Sequence, residues 1–375
     1  MDSRENLKYL YFLTKVKNLG NVRIRRLISV FESPKECFEA PLSEFRKIDG
    51  FDIGIISDLS RIKDEQNLYE DEFIKIIERC DTENVKMVSI LDEDYPVNLR
   101  TIFDAPVLLY YKGSLNENDK YSLSVVGTRV PTEYGKIICK QLVEGISELG
   151  IPIISGMATG IDTVAHMTAL DCGNITYAVL GSGLDVVYPP ENVKLYEKIT
   201  QSGAVISELD FGSIPDRVNF PRRNRIICGI SLGTLVVESG AKGGSLITAQ
   251  LALDQNREVF AVPGYANSKK SSGTNELIKR GYAKMVTNVD DILSELEYKV
   301  APLVRKPKDD MNEELIRNLN IIEKQIYVKL DYQPMNIDAI NMETGLPVSD
   351  CLVNLLSLEL KGLVRQIPGK NFIKV

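Results

Sequence analysis

The chain has 375 residues, 44% hydrophobic and 26% charged, with a formal net charge of -7, the profile of an ordinary soluble globular protein of two or three domains. No apolar run approaches the ~20 residues of a membrane-spanning helix, and the first residues carry no apolar signal core, so a cytoplasmic location is expected. One histidine, His166, excludes two-histidine metal sites, and six cysteines scattered without a Cys-x-x-Cys pair leave no structural zinc cluster and read as buried free thiols.

Residues 1–84 read as a small helical domain. Leu7–Leu13 opens one helix, Val22–Phe31 gives another with Ile24, Leu27, Ile28 and Phe31 at helical spacing, and the charged stretch 60–84 reads as a further helix. The Asn18-Leu19-Gly20-Asn21 break resembles a helix-hairpin-helix turn, a module that touches nucleic-acid backbone or serves packing and protein contact; packing or contact is the favoured reading. From Val85 the period changes. Lys86–Ile90 and Val107–Tyr111 are strands, separated by the turn formers Asp94-Tyr95-Pro96 and Asp104-Ala105-Pro106.

Residues 120–298 then alternate strand and helix. Strands are predicted at Leu123–Val126, Pro152–Ser155, Tyr177–Leu180, Ala204–Ser207, Leu235–Glu238, Val259–Val262 and Lys284–Val286, with helices such as Tyr134–Leu149 and Leu246–Asp254 between them. Short apolar strands separated by helices imply a doubly wound parallel sheet, a Rossmann-like α/β fold occupying residues 85–299. A Pro-rich charged linker follows at 300–311. Residues 312–375 read as three helices and a two-stranded wing, a winged helix-turn-helix outline.

In such a sheet, ligands bind beyond the carboxyl ends of the strands. Those ends lead into Gly127-Thr128-Arg129, Ser155-Gly156-Met157-Ala158-Thr159-Gly160, Gly181-Ser182-Gly183-Leu184-Asp185, and Ser239-Gly240-Ala241-Lys242-Gly243-Gly244-Ser245. Glycine lets backbone N–H groups approach a phosphate, and the helix that follows presents its positive end, so four such loops predict an anion groove. Phe220-Pro221-Arg222-Arg223-Asn224-Arg225 adds a ring and three cations inside a stretch, Arg217–Val237, without any acidic residue. Cations for phosphate and a ring for an unstacked base suit single-stranded nucleic acid. The other reading is a solvated helix start whose arginines pair with carboxylates elsewhere.

The dinucleotide fingerprint fails because Val186 stands at its third glycine, and in Gly240–Ser245 the lysine precedes the paired glycines, so no Walker loop forms. Asp162, His166 and Glu238 are the candidate catalytic residues. Each also has a structural reading: Asp162 as a helix cap, His166 one turn beyond it, and Glu238 as an arginine partner. The third helix of the wing domain, with Asp350, Glu359 and Lys361 as its charges, lacks the cations of a DNA-reading helix.

Val126-Gly127-Thr128-Arg129, Ser155-Gly156-Met157-Ala158-Thr159-Gly160-Ile161-Asp162 with Ala165-His166, Phe220-Pro221 with Arg223-Asn224-Arg225-Ile226-Ile227, and Gly244–Ala249 together resemble the DprA/Smf DNA-processing proteins. Val259–Gly264 and Gly273-Thr274-Asn275 with Leu277-Ile278 extend the resemblance along the chain. It implies a SAM-like helical domain, an extended Rossmann domain and a winged helix. It further implies a protein without catalysis, cofactor or metal that binds incoming single-stranded DNA, loads the RecA recombinase in natural transformation, and forms a homodimer through the Rossmann domain, with no membrane partner. The DNA contacts it implies are Arg129, Phe220, Arg223, Asn224, Arg225 and Lys242, joined by Thr128, Arg222 and Gly243 from the same loops. Gly127, Ser155, Gly156, Gly181, Gly183, Gly244 and Ser245 would cradle phosphate. Where the family often carries lysine, this chain has Pro190 and Thr159, which implies weaker or more salt-sensitive binding unless Lys194 compensates. Two other classes fit less well. A lysine-decarboxylase-like nucleotide hydrolase places Pro-Gly-Gly-x-Gly-Thr before its glutamate, whereas Glu238 precedes the glycines here; a duplex-DNA regulator would need a basic third helix.

Overall fold

The computed structural model describes residues 3–296, 299–300, 319–330, 335–361, 363–367 and 369–374. The linker expected at 300–311 lies, beyond residue 300, outside the described residues. Residues 1–300 and 301–375 form two compact units.

The first unit is organised around one nine-stranded sheet. Its strands are β1 (Val85–Ser89), β2 (Leu108–Gly113), β3 (Leu123–Val126), β4 (Ile153–Ser155), β5 (Thr176–Val179), β6 (Ala204–Ser207), β7 (Gly233–Val236), β8 (Glu258–Ala261) and β9 (Lys284–Met285). Their order is β1-β2-β6-β5-β4-β3-β7-β8-β9. From β6 to β9 every pairing is parallel, and β3, β5, β6 and β7 are buried along their whole length, as expected for strands covered by crossover helices on both faces. β1 and β2 extend the sheet antiparallel, with Tyr110 of β2 opposite Ser207 of β6. The doubly wound α/β fold read from the alternation is thus present.

The helices of residues 1–84 share one apolar core with this sheet: Phe12, Leu27, Phe38 and Leu59 pack in the same cluster as Val107, Ile206 and Ile226. Polar contacts join them as well. Asn21 Nδ2 donates to Glu208 Oε1 at 2.7 Å, and the Val107 N–H donates to Asn21 Oδ1 at 3.1 Å. The single helix expected over 60–84 is two, Ile53–Asp64 and Gln66–Glu83. No breaker separates them; the buried face changes at Glu65, from Ile55, Leu59 and Ile62 to Phe73 and Cys80.

The second unit contains helices Ile321–Lys329, Ile337–Thr344 and Val348–Leu360, then strands β10 (Met335–Asn336), β11 (Val364–Ile367) and β12 (Asn371–Lys374) in the order β10-β12-β11. β10 is too short to carry a period and was not predicted. It exists because Met335 pairs with Phe372 across the wing.

All six cysteines are free, and only Cys172 is exposed. His166 is fully buried in helix Ile161–Asp171, its Nδ1 2.7 Å from Thr176 Oγ1 and its Nε2 without a hydrogen-bond partner. Burial, reinforced by Arg223, pushes its pKa down to about 3. The folded value lies below the unfolded one of about 6.5, so the unfolded chain binds the extra proton; the stability contribution is complete above pH ~6.5 and is lost as pH falls towards the folded value. Between pH 7 and 5 this proton should cost the parent about 2 kcal/mol of unfolding free energy, a loss that His166→Gln removes. Urea titrations of both proteins at the two pH values measure it, and equal pH slopes would contradict the assignment.

Candidate nucleic-acid interface

The chain lays β4, β5 and β6 on one side of β3 and then crosses back to place β7 on the other. At that reversal the sheet opens a groove of about 380 Å3. Gly127, Thr128 and Arg129 line it after β3, Gly243, Gly244 and Ser245 after β7, and Phe220, Arg223 and Asn224 form the opposite wall. Helix Gly244–Asp254 starts in this groove with no side-chain cap, which leaves its positive end to a ligand. Ser245 Oγ is anchored 2.9 Å from Ser239 Oγ.

The arginine segment forms the first turns of a helix, Asn219–Ile230. At 100° per residue, its three arginines leave the axis in three directions. Arg222 is exposed and points away from the groove, towards the surface shared with Gly20 and Asn21. Arg223 borders the groove but its donors face inward: Nη1 reaches the Gly156 carbonyl at 2.6 Å and also the Val179 carbonyl, and Nε reaches Asn224 Oδ1 at 3.1 Å. Burial, offset by the nearby Asp162 carboxylate, brings its pKa down to about 10. A Cβ on Gly156 would sit 2.6 Å from this guanidinium, so only glycine lets the arginine lie flat on the β4 loop.

Arg225 departs from the expectation. It is 5% exposed, donates to Glu208 Oε2 at 2.5 Å and to the Asp104 carbonyl at 2.6 Å, and pairs with Asp104 Oδ2 at 3.3 Å. It ties the helix to the Asp104 turn and does not line the groove.

Phe220 organises the exposed part of the site. The Arg129 guanidinium lies 5.4 Å from its ring centroid, and the Tyr188 ring lies 5.9 Å away on a 41° tilt. The result is an aromatic and cationic platform at the groove mouth. Gly181 sits beneath it, where an added Cβ would come within 2.9 Å of Phe220 Cδ1. Tyr188 was missed in the sequence; its signal was an aromatic directly before Pro189-Pro190, in the loop after β5.

Several predicted phosphate donors are already used. The Gly156 and Ala158 N–H groups donate to Asp162 Oδ2 at 3.1 and 3.3 Å, the Gly183 N–H to the Ser213 carbonyl at 2.9 Å, and the Thr128 N–H to the Glu238 carbonyl at 2.8 Å. Ser155 is buried, with its hydroxyl on the Val125 carbonyl at 2.6 Å. Ser155, Gly156, Gly181 and Gly183 therefore form the layer under the groove, not its surface. Lys242 is exposed on the loop before Gly243 but does not line the groove, and neither Thr159 nor Lys194 does.

The candidate catalytic residues have structural duties. Asp162 is buried, and burial raises its pKa against the opposing pull of Arg223 and the loop amides. Among the described residues Glu238 pairs with no arginine; it accepts from the Thr132 N–H and hydroxyl, each at 2.8 Å, and so supports the start of helix Glu133–Glu148. In the second unit, helix Val348–Leu360 exposes Leu352, Val353, Leu356 and Leu360, and Lys361 is held at 2.6 Å by the buried Glu323. This surface is apolar where a DNA-reading helix carries cations.

The two arginines with opposite placements separate cleanly by experiment. Arg225→Ala strands the Glu208 carboxylate and should lower unfolding free energy by about 3 kcal/mol, whereas Arg129→Ala, at an exposed loop, should change it by under about 0.5 kcal/mol. Chemical denaturation of both variants reads this out, and an undisturbed Arg225→Ala protein would reject the clamp.

Residues 86–297 match the family described as DNA recombination-mediator protein A, and residues 313–370 match the DprA winged helix domain. Protein Smf of Synechocystis is 32% identical over 98% of this chain and 99% of its own length. The X-ray structure of DNA processing protein A from Streptococcus pneumoniae superposes with a TM-score of 0.67 at 37% identity, covering 77% of this chain and 97% of that one. A structure of the Helicobacter pylori protein, reported for its single-stranded DNA binding mode, gives a TM-score of 0.52 at 29% identity over 57% of this chain and 96% of its own. No helix among the described residues is long and apolar enough to cross a membrane. The groove at the sheet reversal and the arginine helix beside it both fall within the matched 86–297 segment, and the chain belongs to the DprA/Smf family of DNA-processing proteins.

Proposed function

We propose that this protein binds single-stranded DNA in the β3–β7 groove and acts as a recombination mediator, without catalysing a reaction. The observation that carries the reading is the platform of Arg129, Phe220 and Tyr188 beside the uncapped start of helix Gly244–Asp254. A flat ring under a guanidinium accepts an unstacked base, while the helix end and Arg129 meet the adjoining phosphate. The H. pylori relative's single-stranded DNA binding mode supports the choice of ligand. The finer assignments rest on family membership: delivery of the strand to the RecA recombinase in transformation, a homodimer through the Rossmann-like sheet, and a cytoplasmic site of action.

The hydrolase alternative gains nothing from the geometry, because Glu238 and Asp162 are committed to backbone groups.

Fluorescence anisotropy with single-stranded and duplex oligonucleotides tests the reading. Phe220→Ala should cost roughly 1–3 kcal/mol of single-strand affinity, the usual effect of losing one stacking ring. Equal affinity of the parent for duplex and single strand, with Phe220→Ala neutral, would overturn it.

A second pair of variants decides which of the two units binds the strand. Arg129→Ala should weaken single-strand binding at least about tenfold, near 1.4 kcal/mol, and Arg365→Ala in β11 less than about threefold. Titration against one labelled oligonucleotide at fixed salt decides it, and the groove assignment is wrong if Arg365 is the more damaging loss.

A further inference from the structure

Beyond the groove wall, Pro221 and Ile247 also border a second depression of about 630 Å3, closed by Arg23, Phe103, Arg222 and Leu251. We infer that the bound strand continues over this shared wall into the depression, where Phe103 stacks a further base and Arg23 and Arg222 hold its phosphates. The inference rests on the groove reading and extends it to the path and length of the strand.

Three observations carry it. Phe103 is 80% exposed, yet it does not stand on a loose loop. Arg25 Nη1 donates to the Ile102 and Phe103 carbonyls at 2.7 and 3.0 Å, and Arg225 Nη1 donates to the Asp104 carbonyl at 2.6 Å. Two arginines thus pin three successive carbonyls and hold an apolar ring out in water, an arrangement that costs solvation and packs little of the ring against the described residues.

Charge is the second observation. Among the described residues Arg222 makes no ion pair, and Arg23 forms none either, its Nη1 donating to the Asn18 carbonyl at 2.7 Å. Asp104, the one carboxylate on the border, is held by Arg225 at 3.3 Å. The depression therefore combines positive charge with an exposed ring in one lining, the combination that tracks a single strand.

Continuity is the third. The two cavities share Pro221 and Ile247 as a common border, so a strand leaving the groove at Phe220 crosses two apolar residues to reach the depression that Phe103 lines.

The test uses the full chain and fluorescein-labelled oligothymidylates of about 4 and about 16 nucleotides, the ends of the range of single-strand site sizes. Phe103→Ala should weaken binding of the longer oligonucleotide about fivefold or more and leave the shorter unchanged, while Phe103→Tyr keeps the parent affinity. Because the ring is exposed, an unchanged thermal midpoint is expected and confirms that the fold is intact. The second subsite is refuted if Phe103→Ala leaves the longer oligonucleotide unaffected, or weakens both lengths equally. Phe220→Ala is the control. If it weakens both lengths while Phe103→Ala weakens neither, only the extension falls; if it weakens neither, the groove reading fails and takes the extension with it.

Discussion

The buried guanidinium of Arg223 is the constraint on which the site depends. It spans from helix Asn219–Ile230 to the ends of β4 and β5, bonding the Gly156 and Val179 carbonyls, with the Asp162 carboxylate close enough to offset the burial of its charge. A charge this deep is tolerable only when its donors are satisfied and an opposite charge is near. Asp162 is fixed in turn by the Gly156 and Ala158 amides at the start of its own helix. The cluster locks the helix across the sheet reversal, and Phe220, three residues earlier, is thereby placed over Gly181 and beside Arg129.

The basic island consequently divides its labour. Arg223 and Arg225 are spent on structure, one beneath the groove and one against Glu208 and Asp104, while Arg129, Arg222 and Lys242 stay in contact with solvent. An acidic chain can still present a positive surface, because the field at a ligand is set by nearby exposed charges, not by the net charge of -7. The same division accounts for the glycines. Gly156 and Gly181 give side chains room to cross the sheet edge, while the Gly243-Gly244-Ser245 helix start lines the groove itself.

Arg225 also links this region to the N-terminal helices. Its partner Glu208 accepts from Asn21, and Asn21 accepts from the Val107 backbone, so a polar chain runs from the arginine helix through β6 to residues 1–84. Together with the shared apolar core it fixes the turn at residues 100–105 relative to the groove. The helical region thus forms part of the frame that holds the groove.

The sequence alone determined the doubly wound sheet, because parallel strands buried on both faces must read as short apolar runs separated by helices, and that pattern survives without any tertiary knowledge. It also placed the glycine loops at the strand ends and singled out Phe220 and Arg129, since topology fixes which end of a parallel sheet a loop occupies. Only the tertiary structure decided which arginine stays exposed and which are buried. Arg222, Arg223 and Arg225 are chemically identical, and their fates follow from a rotation of 100° per residue about a helix whose orientation is set by distant partners, Asp162 and Glu208. The same holds for Tyr188 and Phe103, one joining Phe220 from the loop after β5 and the other held out by Arg25; these pairings link segments far apart in the chain and leave no local periodicity to read.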